Sequence, residues 1–250
     1  MAKRIIACMD IDNGRVVKGI NFKNLKDAGD PVKLGELYSR KGIDELIFLD
    51  VTATIENRKT LRDLVERISE KINIPFTVGG GIKTLQDIRE LLKRGADKVS
   101  IGSEAIRNPS LVKKAAKKFG SQCIVISIDP KWNKNYWEMY INGGRTPTAI
   151  NAIKFAKEME RLGAGELLIN SLDKDGKKTG YDTKLLKSIS EAVNIPVIAS
   201  SGAGEKTHFL EAFTEGKADA ALAATLFHYR KLEIQDLKKY LKKNNVNIRS

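Results

Sequence analysis

Two aspartates end apolar runs that are typical of buried strands, and a carboxyl group there can move protons. Asp10 follows the run at 4–9, and Asp129 ends the run at 123–129. Two carboxyl groups facing one pocket can divide proton donation and removal if their surroundings separate their pKa values. Either aspartate alone also fits a residue that caps a loop. Because an internal repeat matches the two positions, we predict that they are a catalytic acid and base.

Glycine-rich turns follow four of the apolar runs and predict two phosphate sites. The chain carries Gly79-Gly80-Gly81 and Gly102-Ser103 in its first half, and Ser201-Gly202-Ala203-Gly204 and Ala224-Thr225 in its second. Glycines let the backbone approach an anion, while hydroxyls and helix N-termini donate hydrogen bonds to it. One such turn alone also fits a plain tight turn. If the two phosphate sites lie on opposite sides of the mouth of one pocket, they predict an elongated substrate with a phosphate at each end.

Three further polar residues end or follow other apolar runs. Lys18 stands between glycines in the segment after the first run, Asp50 ends the second run, and Asp175-Gly176 follows the sixth. Lys18 could close over an anionic substrate, and an ordinary solvated loop lysine is the alternative. Asp50 and Asp175 could bind substrate hydroxyls or orient loops.

Eight apolar runs alternate with helix signals along the chain. The runs span residues 4–9, 46–51, 75–78, 98–101, 123–129, 167–171, 196–200 and 219–224. Such nearly continuous apolar strands are typical of parallel sheets covered on both faces. Helix starts are marked by Asp30-Pro31, Thr84 with Asp87, and Asn108-Pro109. The pattern predicts an α/β protein with a (β/α)₈ TIM barrel, and an open doubly wound sheet is the alternative.

An internal repeat favours the barrel. Gly42-Ile43-Asp44-Glu45-Leu46 matches the segment 163–167 at an offset of 121 residues, and Asp10 precedes Asp129 by 119. A near-constant offset indicates duplication of a four-strand unit. We therefore predict one domain, residues 1–250, made of two duplicated half-barrels at about 1–120 and 121–250.

Two long segments interrupt the pattern. Residues 130–148 contain Asn142-Gly143-Gly144, and the stretch from Trp132 to Arg145 resembles a hairpin. The segment Asn13 to Gly29 is predicted as a long loop after the first strand. Both should lie on the C-terminal face of the barrel, where catalysis takes place in this fold.

Composition excludes several classes of protein. No apolar run approaches the length needed to cross a bilayer, and the first residues show no secretory signal. The two cysteines, Cys8 and Cys123, show no metal-ligand spacing, so we expect reduced thiols and a cytoplasmic protein. The net charge of +13 fits surface solubility or attraction of an anionic ligand. Nucleic-acid binding is less favoured because no aromatic platform accompanies the basic runs.

Nine segments of the chain resemble one family of enzymes over nearly the whole length. They are ACMDIDNGRVVKG, GIDELIFLDVTA, IPFTVGGGI, ADKVSIGSEA, GSQCIVISID, DKDGKKTGYD, IASSGAG, HFLEAF and ADAALAATLFH. These strings look like the cyclase subunit of imidazole glycerol phosphate synthase, a lyase of histidine biosynthesis.

The resemblance implies a reaction and its partners. A glutaminase subunit docked at the N-terminal face of the barrel, as a heterodimer, would release ammonia that crosses the barrel. The ammonia would react with the bisphosphorylated nucleotide PRFAR to give imidazole glycerol phosphate and AICAR. No metal or organic cofactor, nucleic acid or membrane is implied.

The resemblance also assigns roles to residues of this chain. Asp10 and Asp129 match the acid/base pair, and Lys18 matches a mobile loop over the substrate. Positions near the substrate or its phosphates match Gly81, Ser103, Asp175, Gly176, Gly202, Ala224 and Thr225, and we add Asp50, Gly102 and Asn170 as substrate-binding candidates. Four charged residues at the starts of predicted strands match positions that form an ammonia gate in the family: Arg4, Glu45, Lys98 and Glu166. A purely structural ion network is the alternative for these four residues.

The chain departs from the family pattern at some positions. Members often have an asparagine where this chain has Gly102, which puts one substrate contact in doubt. Asn170 stands where some have threonine, Ser201 replaces a common glycine, and Ala7 replaces a common proline. None of these changes replaces either aspartate, and we expect them to leave the pair untouched.

Three rival functions remain. The sister isomerase of the pathway has a duplicated barrel and an aspartate pair, but it needs no ammonia and makes no imidazole product. A noncatalytic barrel that binds nucleic acid is suggested only by the charge, and salt-dependent DNA retention without turnover would favour it. A barrel that keeps the fold without activity is the third, against which the intact aspartates argue.

Overall fold

The computed structural model describes residues 2–12, 14–20, 23–50 and 62–249, without the side chains of residues 18–20, 23–26 and 62. In chain order, the strands are β1 (Arg4–Asp12), β2 (Arg15–Ile20), β3 (Lys23–Gly29), β4 (Glu45–Asp50), β5 (Phe76–Gly79), β6 (Lys98–Ile101), β7 (Ile124–Trp132), β8 (Trp137–Ile141), β9 (Thr146–Asn151), β10 (Glu166–Asn170), β11 (Val197–Ser200) and β12 (Ala220–Ala223). The helices are α1 (Pro31–Arg40), α2 (Arg62–Ser69), α3 (Leu85–Lys93), α4 (Ser103–Arg107), α5 (Pro109–Phe119), α6 (Ala152–Arg161), α7 (Thr183–Ser190), α8 (Lys206–Thr214), α9 (Thr225–His228) and α10 (Ile234–Lys243).

Eight parallel strands form a closed ring in the order β1-β4-β5-β6-β7-β10-β11-β12. The ring closes where β12 pairs with β1, with Arg4 opposite Ala220, and where β7 pairs with β10. The prediction of a (β/α)₈ barrel is confirmed, and the alternative of an open sheet is wrong. All eight predicted strands are present, with ends shifted by at most three residues. The predicted end of the second, Val51, lies outside the described residues.

Helix ends follow the polar signals in the sequence. The Asp30 side chain accepts a hydrogen bond from the backbone N–H of Lys33 at 3.0 Å, at the start of α1. Thr84 and Asp87 form a reciprocal capping box on α3. These side chains satisfy backbone N–H groups that a helix leaves unpaired at its start.

Two apolar layers result from the strand alternation. The outer layer packs the helices against the barrel, and a smaller cluster fills the barrel interior. The inner cluster consists of Ile6, Cys8, Ile47, Val125, Leu168, Ile198, Ala220, Leu222 and Ala224. Because side chains alternate along a strand, Arg4 and Asp10 lie on the same inward row of β1 as Ile6 and Cys8. That row spans about 20 Å from one end of the barrel to the other.

Both interrupting segments form antiparallel hairpins. The predicted hairpin after the fifth barrel strand is confirmed, since β7 pairs with β8 and β8 pairs with β9 around Asn142-Gly143-Gly144. The loop predicted for residues 13–29 is instead largely β2 and β3, with Val17 opposite Asp10. The first strand continues past the barrel rim, and its exposed edge there pairs with the chain that returns.

Within the described ranges, no helix has the length and apolar character needed to cross a bilayer. No group of three His, Cys, Asp or Glu side chains in the same ranges is placed to hold a metal ion.

Candidate active site

Asp10 and Asp129 line one cavity of about 390 Å³ at the C-terminal end of the barrel. Asp10 lies on β1 and Asp129 on β7, and three barrel strands separate β1 from β7 in each direction around the ring. The two carboxyl groups therefore approach the cavity from opposite walls. The prediction that they share one pocket is confirmed.

Asp129 lies in a polar network, and its carboxyl group has an unusual proton affinity. Burial raises its pKa to about 6, and the nearby negative charge of Asp175 acts in the same direction. Hydrogen bonds from Asn170 and Ser127 work against this rise. The Asn170 amide donates to Asp129 Oδ1 at 2.8 Å and to Ser127 Oγ at 2.9 Å. The expectation that the departure at Asn170 leaves the two aspartates untouched is therefore wrong. A carboxyl group with a pKa near 6 can both donate and accept protons close to neutral pH.

Asp10 is more deeply enclosed, with 4% of its surface exposed. The thiol of Cys8 donates to Asp10 Oδ1 with a sulfur–oxygen distance of 3.6 Å. Both side chains point inward from β1, so their spacing follows from strand alternation.

The glycine turns of the second half line the same cavity as the two aspartates. Asp175, Gly176, Gly202, Ala224 and Thr225 all contribute to its wall, as does Asn170. We call this part of the mouth the second lobe. Gly202 has a φ of +97°, and a Cβ there would lie 2.2 Å from the carbonyl oxygen of Gly180. Only glycine allows this close approach of two backbone segments.

A second cavity of about 110 Å³ lies beside the first and shares Leu49, Asp129 and Asn170 with it. Asp50, Gly81, Gly102 and Ser103 line it, and we call it the first lobe. The turn is tight here too, since a Cβ on Gly80 would lie 2.4 Å from the Asp50 carbonyl oxygen. The two glycine-rich regions thus flank Asp129, as an elongated substrate would require.

The substrate-binding candidates therefore gather at one mouth, with one exception. Lys18 lies in β2, and its side chain lies outside the part of the chain that the structure describes. Asp175 also accepts a hydrogen bond from Ser201 at 3.4 Å, which links two of the second-lobe loops.

Several residues that line the two lobes or contact them were not predicted as site residues from the sequence. Ser127 lies two residues before Asp129 on the same strand face, so strand alternation could have identified it. Lys178 lines the second lobe, and Arg107 lines the first. Asn142 lies in the β8–β9 turn, and its backbone N–H donates to Ser103 Oγ at a distance of 3.0 Å. No local signal predicts that contact between residues 39 positions apart.

The opposite end of the barrel contains a closed ring of charges. Arg4 pairs with Glu45 at 2.7 Å and with Glu166, while Lys98 pairs with each glutamate at 2.9 Å. Thr77 also donates to Glu45 at 3.0 Å. Each of the two predicted gate cations therefore pairs with both predicted gate glutamates.

The electrostatics of this ring favour ionised side chains. Burial alone would lower the pKa of Lys98 and of Arg4, but attraction to Glu45 and Glu166 outweighs it and raises both. The cations therefore stay charged inside the barrel end. Each depends on its two carboxylate partners to offset the lost hydration.

Comparison with known proteins gives the same family over the whole chain. The family model described as histidine biosynthesis protein matches residues 4–233. The chain is 58% identical to the imidazole glycerol phosphate synthase subunit HisF of Hydrogenobaculum sp. (strain Y04AAS1), covering 100% of this chain and 99% of that protein. It is 57% identical to the HisF subunit of Thermococcus onnurineus (strain NA1), with 100% and 98% covered. The HisF subunit of Clostridium botulinum (strain Kyoto / Type A2) is 55% identical, with 100% and 99% covered.

Proposed function

Because the chain belongs to the histidine biosynthesis protein family and is a cyclase subunit of imidazole glycerol phosphate synthase, we propose that Asp10 and Asp129 are its catalytic acid and base. The reaction joins ammonia to PRFAR and releases imidazole glycerol phosphate and AICAR. The observation that carries the proposal is the position of the two carboxyl groups on opposite walls of one cavity.

Each chemical step moves protons and involves no oxidation. Addition of ammonia forms an imine with loss of water, and ring closure then follows with departure of the ribotide. With a pKa of about 6, Asp129 is protonated in about a tenth of the molecules at pH 7. It can therefore protonate a departing oxygen or nitrogen and take a proton back, while Asp10 acts from the other wall.

The two lobes would hold the two phosphates. Gly81, Gly102 and Ser103 supply the first-lobe contacts, and Gly176, Gly202, Ala224 and Thr225 supply those of the second. A substrate bound at both ends would bring its reacting centre beside Asp129, which the lobes share. Asp50, Asn170 and Asp175 would orient its polar groups, and Lys18 would close over it.

Duplicated half-barrels at about 1–120 and 121–250 would explain the two lobes. Gly81 precedes Gly202 by 121 residues, and Ser103 precedes Thr225 by 122. Equivalent positions thus face each other across the mouth. The duplication would account for two phosphate sites, one on each side of the reacting centre.

Ammonia would enter through the charged ring at the other end. A glutaminase subunit docked as a heterodimer on the N-terminal face would deliver it beside Arg4, Glu45, Lys98 and Glu166. The ring is closed by its ion pairs, so at least one pair must open for passage. Apolar residues such as Ile6 and Val125 line the interior beyond it and would carry a neutral molecule towards Asp10.

The expected cytoplasmic location fits this metabolic role.

The direct test is turnover by the purified chain with PRFAR and an ammonium salt, followed by chromatography of the products. We expect imidazole glycerol phosphate and AICAR in equal amounts, and neither without ammonium. Conversion that needs no ammonium and yields no imidazole glycerol phosphate would instead identify the sister isomerase. Salt-dependent retention on DNA without turnover would indicate a nucleic-acid-binding barrel.

The partner is tested separately by titration with the glutaminase subunit of the same organism. We expect a one-to-one complex and glutamine-dependent turnover. Charge reversal at exposed residues of the N-terminal face should weaken the complex, while charge reversal on the outer face of α5 should not. Binding that is insensitive to the N-terminal face would contradict the proposed docking.

A further inference from the structure

The first lobe carries a cationic side chain, Arg107, to which the proposed reaction gives no role. Arg107 is the last residue of α4, and it lines the first lobe together with Gly81, Gly102 and Ser103. Arg107 therefore borders the space expected to receive a phosphate.

A single residue of the inserted hairpin holds Arg107 and Ser103 together. The guanidinium Nη2 of Arg107 donates to the side-chain oxygen of Asn142. The backbone N–H of Asn142 donates to Ser103 Oγ at 3.0 Å. An arginine has five N–H donors in one plane, and the bond to Asn142 uses one of them. Asn142 thus fixes the guanidinium beside the hydroxyl that the phosphate would meet.

Acidic residues around the first lobe would disfavour phosphate binding unless a cation offsets their negative charge. Asp50, Glu104 and Asp129 also line it, and negative charge on these residues would repel a phosphate. The α4 helix has five residues, too few for a strong helix dipole. Among the described residues, the basic side chains that line this lobe are Lys83 and Arg107.

The two lobes differ at this position. The residue 122 positions after Arg107, the same offset that relates Ser103 to Thr225, is Tyr229. Tyr229 lines the second lobe with 46% of its surface exposed. At this position of the repeat, the first lobe therefore has a guanidinium and the second lobe a phenol. A change at Arg107 should accordingly affect the phosphate of the first lobe only.

We propose that Arg107 binds the substrate phosphate in the first lobe and is a specificity-determining residue for that end of the molecule. The inference rests on the proposed function. The guanidinium would pair with two phosphate oxygens, a geometry that lysine cannot copy fully.

The main experiment compares steady-state kinetics of four variants with ammonium salt as the nitrogen source. Arg107→Met removes the charge and keeps the length, and Arg107→Lys restores the charge alone. Loss of one charge-assisted contact should raise the KM for PRFAR about tenfold or more in Arg107→Met, with little change in kcat. Arg107→Lys should recover part of the loss.

The chain offers matched controls in the same hairpin turn. Arg145 donates to the Asn142 backbone oxygen at 3.4 Å and is also exposed, but it lines neither lobe. Arg145→Met should keep the wild-type KM. Asn142→Ala keeps the Arg107 charge and should have a smaller effect on KM than Arg107→Met. Equal KM values in Arg107→Met and wild type, or an equal rise in Arg145→Met, would overturn the proposal.

Product inhibition identifies the end of the substrate. Each product carries one of the two phosphates, so Arg107→Met should weaken inhibition by one product and leave the other unchanged. Equal weakening of both would indicate a general electrostatic effect and contradict the assignment. If the wild-type chain shows no ammonium-dependent turnover, the proposed function fails. Calorimetric titration of wild type and Arg107→Met with inorganic phosphate then still tests the site, and equal affinities would overturn it.

Discussion

The side-chain amide of Asn170 donates a hydrogen bond of 2.8 Å to Oδ1 of Asp129, across two neighbouring barrel strands. This bond stabilises the ionised carboxylate, and burial of Asp129 opposes it. The proton affinity of the proposed catalytic group is thus set by a balance between the two effects, which makes it open to test by mutation.

Asn170→Ala should move the pH dependence of turnover to higher pH. Removing a donor to the carboxylate favours the protonated form, so the pKa of Asp129 should rise further above its present value of about 6. The measurement is kcat/KM between pH 5 and pH 9 with saturating ammonia. A midpoint that stays fixed or moves to lower pH would show that this hydrogen bond does not control the titration.

Asp10→Asn and Asp129→Asn should each lower ammonia-dependent turnover by about 10²-fold or more, as loss of a general acid or base does. Folding should be preserved, because asparagine has nearly the same size and keeps a polar side chain. Circular dichroism and thermal melting check the fold beside the rate. A variant with near-normal turnover removes that aspartate from the mechanism.

Asp129→Asn should also gain stability relative to wild type as the pH rises. The folded-state pKa of about 6 lies above the ordinary value of 3.8, so the folded chain binds the proton more tightly than the unfolded chain does. At a pH above the folded pKa, the ionised Asp129 carboxylate destabilises the folded wild type, and Asp129→Asn lacks this charge. At a pH below the ordinary pKa, Asp129 is protonated in both the folded and unfolded states, so titration of this group should add little to the stability difference between wild type and variant. Melting temperatures measured at several pH values test this, and a difference that shrinks with rising pH would contradict it.

Loss of Glu45 should destabilise the barrel. Its side chain is 1% exposed and accepts from Arg4, Lys98 and Thr77. Glu45→Ala leaves two cations short of a partner, and we expect a loss of about 3 kcal/mol in the free energy of unfolding. Thr77→Val, which removes one neutral donor to the same carboxylate, is the control and should lose about 1 kcal/mol. Urea unfolding measures both, and equal losses would argue that the charge pairing contributes little.

Gly202→Ala should damage both the fold and the second lobe. Its φ of +97° and the 2.2 Å approach of an added Cβ to the Gly180 carbonyl oxygen leave no room for a side chain. Gly102→Ala is the matched control for stability, since a Cβ there meets its nearest atom at 3.8 Å. We expect a clear drop in melting temperature for Gly202→Ala and a much smaller one for Gly102→Ala. Similar drops would mean that the Gly180–Gly202 contact relaxes easily.

Local patterns were enough to determine the frame of this protein. Apolar runs and helix caps predicted the eight barrel strands, and the repeat predicted that Asp10 and Asp129 would face each other. These features depend on residues close in the chain or on a fixed offset, so they can be read without coordinates. The same local patterns predict a loop at residues 13–29, because the pairing of β2 with the extended end of β1 depends on a partner strand.

Only the tertiary structure decided which side chains meet at the two ends of the barrel. The bonds from Asn170 to Asp129, from Asn142 to Ser103 and from Arg107 to Asn142 join residues 35 to 41 positions apart. The charged ring joins residues up to 162 positions apart. Such contacts depend on how strands and inserted hairpins pack in space, and a pKa set by burial exists only once that packing has excluded water.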